Sequence, residues 1–117
     1  MSARQIVKDA LNGTELPIVD GRLPEQISGP TLALGVQEIE PAGIARMRKW
    51  ALWLGILTPL QSEGVEDQLE QTLTTVLDAL DAAQPLTWTT ATRTAVKDDA
   101  YHAIVVTVTV TTQEEQP

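Results

Sequence analysis

The sequence predicts an α+β domain: a mainly antiparallel sheet with a short N-terminal helix and one long helix packed on it. Three observations predict it. Over residues 64–83, Val65, Leu69, Leu73, Val76, Leu77 and Leu80 repeat at the spacing of a single helical stripe. Over residues 101–112, Ile104, Val106, Val108 and Val110 alternate with Val105, Thr107, Thr109 and Thr111, the two-residue period of a strand. Pro41-Ala42-Gly43 and Lys97-Asp98-Asp99-Ala100 each separate two strand-like runs and mark hairpin connections. A chain of 117 residues makes one domain, 1–117, and its core needs no disulfides, because 43% of its residues are hydrophobic and none is cysteine.

Residues 2–12 form the first predicted element, a short helix. Ser2 is placed to cap it, with Gln5 completing a capping box. Ile6, Val7, Ala10 and Leu11 share its apolar face, and Gly13 is expected to end it with a left-handed residue. Three turns are too few to be stable alone, so this helix must dock on a sheet. Residues 16–20 are a short apolar run closed by the Asp20-Gly21 turn. Residues 21–30 hold two prolines and two glycines and are expected to form an irregular loop, a suitable contact surface.

Two strands follow, over 31–40 and 46–57. In the first, Leu32, Leu34, Val36 and Glu38 are expected on one face. The second places Trp50, Leu52, Leu54 and Ile56 on one side and Ala51, Trp53, Gly55 and Leu57 on the other. A strand apolar on both faces is either central in a covered sheet or packed against another subunit. Thr58-Pro59 closes it. Ser62 is a cap for the long helix, and Glu63, Glu66 and Asp67 occupy its first turn, where the helix dipole favours negative charge. Gln84-Pro85 ends it. Burying the stripe contributes on the order of 1.5–3 kcal/mol per large side chain, which makes this helix the anchor of the fold. A final hairpin covers residues 86–96 and 101–112, and residues 113–117 form a polar tail. The strand over 101–112 is uncharged from Ala103 onward; at a sheet edge it would invite pairing with another chain.

The formal charge of −8 disfavours non-specific binding to nucleic acid or to an anionic membrane. Arg46, Arg48 and Lys49 form one basic cluster, whereas residues 50–92 contain no Lys or Arg and hold Glu63, Glu66, Asp67, Glu70, Asp78 and Asp81. A solvated acidic face is one reading; self-complementary patches, or an acidic wall past which DNA slides, is the other. No run of residues approaches the ~20 apolar positions of a membrane span, and Met1 to Gln5 is not followed by the apolar core of a signal peptide. The expectation is a soluble protein made in a cytoplasm.

Signs of catalysis are few. His102 is the single histidine, with Asp98 and Asp99 in the preceding turn, but alternation places it at the edge of the Ile104 face. With one histidine and no cysteine a transition-metal site would rely mainly on carboxylates, and Glu66, Asp67 and Glu70 are more simply a solvated first turn. Neither GxGxxG nor GxxxxGK[ST] occurs, so no cofactor is expected. Trp50 and Trp53 are more informative. They lie on opposite faces of one strand, so either the chain covers both faces itself or one indole anchors a subunit interface.

The order of elements, with Leu57-Thr58-Pro59 ending a strand, the helix from Val65-Glu66-Asp67-Gln68-Leu69-Glu70 to Leu77-Asp78-Ala79-Leu80, and Tyr101-His102-Ala103 opening the last strand, resembles the tail terminator (tail completion) proteins of long-tailed bacteriophages, particularly those infecting actinobacteria. The resemblance covers nearly the whole chain in element order and size. It implies an α/β sandwich, a non-enzymatic structural role in the virion at the head-proximal end of the tail, and assembly in the host cytoplasm. It further implies a hexameric ring of the chain with itself that caps the tail tube, stops its polymerisation and meets the head-completion or neck proteins. DNA would pass through the lumen without specific binding, helped by the acidic bias. On this reading Arg46, Arg48, Lys49, Trp50, Trp53, Glu63, Glu66, Asp67 and Glu70 are interface candidates, the basic cluster pairing with the acidic helix of the adjacent subunit. The loops over 21–30 and 41–45 would reach along the tail axis. Competing readings are a head-closure or neck protein, a small acidic binding module working as monomer or dimer, and an enzyme with a carboxylate site.

Overall fold

A computed structural model describes residues 3–24, 27–41, 47–59, 64–83, 86–96 and 101–113. Helix α1 (Ala3–Leu11) runs into a 3-10 turn (Asn12–Thr14) and a short strand β1 (Ile18–Asp20). Strands β2 (Thr31–Pro41) and β3 (Met47–Pro59) come next, then helix α2 (Val65–Asp81) and strands β4 (Thr87–Val96) and β5 (Tyr101–Gln113). The fold is α+β: the described residues form two α-helices and one five-stranded sheet of order β1-β2-β3-β5-β4. Every pairing is antiparallel except β1 with β2.

Strand β3 is central, which explains why it is apolar on both sides. Both helices cover one face. Val7 and Leu11 of α1 and Leu69, Val76 and Leu80 of α2 pack with Leu32, Leu34, Leu52, Leu54, Ile56, Val106, Val108 and Val110, all fully buried. On the opposite face Ala33, Leu57 and Ala103 form a smaller buried group against which Leu23, Ile27 and Trp53 pack. The segment between β1 and β2 therefore crosses that face, as a parallel strand pair requires of its connection. Leu23 and Ile27 give this loop a share of the packing that its Pro/Gly content did not suggest.

Four expectations need correction. Gly13 does not end α1 in a left-handed conformation; the left-handed residue is Glu15, at φ 61°. The Thr14 hydroxyl donates to the Leu11 carbonyl at 2.6 Å, and Glu15 N–H donates to the Asn12 carbonyl, so the chain stays wound past Gly13. In β2 a bulge between Val36 and Glu38 breaks the alternation. Val36 lies opposite Leu52 but Glu38 lies opposite Ala51, so the extra residue turns Glu38 to the far face from Leu32 and Leu34. The position capping α2 is held by Gly64, at φ 69° and without a side-chain cap bond. Finally, β5 is not an edge; it lies between β3 and β4, and β4 is the long edge strand. Thr72 also joins the buried side of α2, while Leu73 and Leu77 are only half-buried, so the stripe is turned slightly from the one the leucines alone suggest. Ser2, Ser62, Gln84-Pro85, the turn at 97–100 and residues 114–117 lie outside the described residues.

Candidate assembly interface

The far ends of β2, β3 and β5 extend beyond the helices as a three-stranded arm, and the molecule measures 50 × 27 × 22 Å along its principal axes. Trp50 stands at the root of this arm on the helix side. It is half-buried, and its indole N–H donates to the Thr112 hydroxyl at 2.9 Å. Val36, opposite Leu52, and Ile39, opposite Trp50, share that side. They are 39% and 49% exposed, the large hydrophobic side chains left open among the described residues. The N-terminal turn of α1, Ala3 and Arg4, borders the cavity beside Val36 without covering Val36 fully, and Ile39 is the more exposed of the two.

Trp53 occupies the other face and lies flat over Gly35, its cross-strand partner. A Cβ at Gly35 would come within 2.5 Å of the indole ring, so only glycine leaves room for this seat. Trp53 also walls an apolar cavity of about 170 Å³ with Leu23, Gly55, Leu57, Ala103 and Val105. The third tryptophan, Trp88, donates its indole N–H to Asp81 at 3.0 Å and ties β4 to the end of α2. Each indole thus has intrachain packing, and Trp50 and Trp53 keep an open flank.

The charged candidates are spread over the length of the sheet. Arg48 and Lys49 sit on the arm, opposite Thr112 and Thr111 of β5 and Pro41 and Glu40 of β2. Glu38 and Glu40 stand beside them, so this end of the molecule carries both signs rather than a purely basic patch. Glu66, Asp67 and Glu70 are exposed on the first turns of α2. Glu66 accepts a hydrogen bond at 2.8 Å from Arg93 of β4, whose guanidinium also donates to His102 Nδ1 at 2.8 Å. Arginine has no acceptor, so the Nδ1 of His102 is unprotonated in this arrangement. Arg93 lies opposite Ile104, and His102 opposite Thr58. From His102 to Thr112 the strand runs ten residues, about 33 Å at roughly 3.3 Å per residue. The acidic start of α2 and the cations of the arm are therefore at opposite ends and cannot meet within one chain. Arg46, Glu63, Asp98 and Asp99 lie outside the described residues.

The hydrogen bond from Arg93 holds the Glu66 carboxyl below the usual glutamate range, against the opposing effect of desolvation and with the charge of the guanidinium added. Arg93 and Glu66 side chains are 37% and 68% exposed, so the pair is a solvent-screened tie between α2 and β4, not a buried charge. A similar tie seats α1, where Arg4 and Lys8 reach Asp20 at 3.1 and 3.4 Å. Among the described residues no three His, Asp or Glu side chains are grouped as metal ligands.

Sequence reasoning picked out both tryptophans but missed Val36, Ile39, Gly35 and the exposed edge of β4. The bulge in β2 and the strand order hid them. Only Gly35 had a usable signal, since the hairpin register that pairs residue 31 with residue 57 puts it opposite Trp53. No protein-family model matches this chain, and no curated protein matches it.

Proposed function

We propose that this chain is a structural subunit of a phage tail terminator: it forms a ring with copies of itself, caps the tail tube, stops its growth and presents its other side to the neck proteins. The observation that carries the reading is surface that one chain leaves uncovered. Among the described residues no strand pairs with the outer side of β4, and Val36 and Ile39 stay exposed on the apolar side of β2. Soluble monomers usually blunt such edges with charge, proline, a bulge or a cover; β4 has one bulge at its start and one charge, Arg93, whose guanidinium also donates to the Thr94 carbonyl, and the rest of the strand is uncharged and free of proline. A closed ring satisfies every edge without an open fibre.

Two further features support the reading. The arm and the acidic end of α2 sit at opposite ends of the long axis, an arrangement suited to contacts between neighbours rather than within a chain. The net charge of −8 per chain gives the lumen a sign that repels DNA and lets it slide through. The element order that resembles tail terminators adds the specific role.

The test is assembly in the presence of the tail tube protein. Tubes polymerised with this chain should stop at a defined length and carry a ring at one end, and tubes without it should grow without limit. Tail length unchanged by its omission, with heads failing to join, would move the assignment to a neck or head-closure protein. A stable monomer that ignores tubes and binds one other protein would move it to a binding module.

A further inference from the structure

Three independent features converge on one stretch of β2. Strand β1 covers β2 only from Leu32 to Leu34, after which Gly21 turns away at φ 83° while donating its N–H to the Leu34 carbonyl. From Gly35 to Pro41, β3 is the one strand paired with β2 among the described residues. The exposed aliphatics Val36 and Ile39 both fall on this stretch. A cavity of about 290 Å³ opens at the same place, lined by Gly35 and Val36, flanked by Trp50 and Trp53, and bordered by Arg4. Bare backbone beside aromatic walls is the arrangement that receives an added strand: main-chain hydrogen bonds hold it, and pockets take its alternate side chains.

We propose that this stretch receives β4 of a second copy, which extends the sheet head to tail. The choice among strands follows from charge and coverage. Pairing β2 with β2 would bring the Glu38 and Glu40 carboxylates of two copies together across one ladder, and like charges across a strand pair are destabilising. Pairing β4 with β4 would leave Val36 and Ile39 uncovered. Pairing β2 with β4 covers both and sets the acidic stretch against a strand that carries no carboxylate. Thr87, Thr89, Thr90 and Thr92 give β4 small, β-favouring side chains that fit beside large indoles. The bulge in β4 lies at its start, between Trp88 and Thr90, so the segment from Thr90 to Val96 keeps a regular register. The contact rests on the ring reading in that its repetition, head to tail, is what closes the ring.

The absence of cysteine makes the test clean. Single-cysteine variants Glu38→Cys and Glu40→Cys are each mixed with Thr90→Cys or Thr92→Cys and oxidised under assembly conditions with the tail tube protein. Disulfide-linked dimers between a β2 and a β4 variant should form at least ten times faster than either variant links to itself. In parallel, Ile39→Asp should abolish the assembled species while leaving the thermal unfolding of the monomer within a few degrees of the parent. An assembly of parental size that shows no link between the two strands, or links β2 to β2 instead, would overturn this contact and leave the ring reading standing. A parent chain that stays monomeric with tube protein present would overturn both. Loss of the assembly in Ile39→Asp together with links from β2 to β4 in the cysteine pairs supports the contact.

Discussion

Trp53 shows how one glycine sets the shape of a surface. Its indole occupies the space that a side chain at position 35 would fill, and the ring stays half-buried against the Ala33, Leu57 and Ala103 group. Gly35→Ala should therefore displace the ring, destabilise the domain by about 1–3 kcal/mol as overpacking typically does, and shift tryptophan emission; chemical denaturation followed by fluorescence measures both. The Glu66–Arg93 bond makes a second prediction. Glu66 has its folded-state pKa lowered, chiefly by the hydrogen bond from Arg93, so its contribution is fully present above the ordinary glutamate range and is lost as pH falls through the lowered value. Arg93→Ala should return Glu66 upward toward the ordinary range in an NMR titration, and any stability difference between variant and parent should vanish on acidification. The tryptophans were legible from alternation alone, because a two-residue period fixes which face each one takes. Arg93 was not, since its partners lie 27 residues before it and 9 after it and meet only once α2 crosses the sheet.

The long helix was the clearest element to read, and its packing explains why. Leu69, Val76 and Leu80 are fully buried against β3 and β5, while Leu73 and Leu77 flank the contact. Leu69→Ala and Leu80→Ala should each cost about 2–5 kcal/mol, the range for large-to-small changes in a core. Leu77→Ala should cost clearly less, and equal losses at the three sites would mean that α2 is rotated from the position described. Strand β5 illustrates the limit of local reading. Its alternation identified its core face correctly, yet nothing in residues 101–112 states that β3 and β4 flank it on both sides. Strand order is a property of pairings between distant segments, and the composition of a central antiparallel strand resembles that of an edge. The bulge in β2 was hidden for a related reason: one inserted residue leaves the composition unchanged but turns Glu38, and with it the rest of β2, over. The 21–30 loop hid its role in the same way, because Leu23 and Ile27 matter only once the far face of β3 is in place.

At the level of the whole molecule, a single sheet is covered by two helices on one side and in part by a loop on the other, with a long arm and a long edge left over. Both helices spend their apolar faces on the core near β3, and the described residues hold no third helix to cover Val36, Ile39 and the flank of Trp50. The cations of the arm and the acidic start of α2 are separated by the length of β5, so neither satisfies the other inside one chain. These features argue for contacts between copies, and the head-to-tail polarity of the two unlike edges argues for a closed, repeating arrangement. Electron microscopy of the purified chain incubated with a phage tail tube protein tests this proposal most directly. The account predicts closed rings of one subunit number seated at one end of each tube, with tubes of uniform length. Monomers beside uncapped tubes of unlimited length, at subunit concentrations well above those of the tube protein, would contradict it.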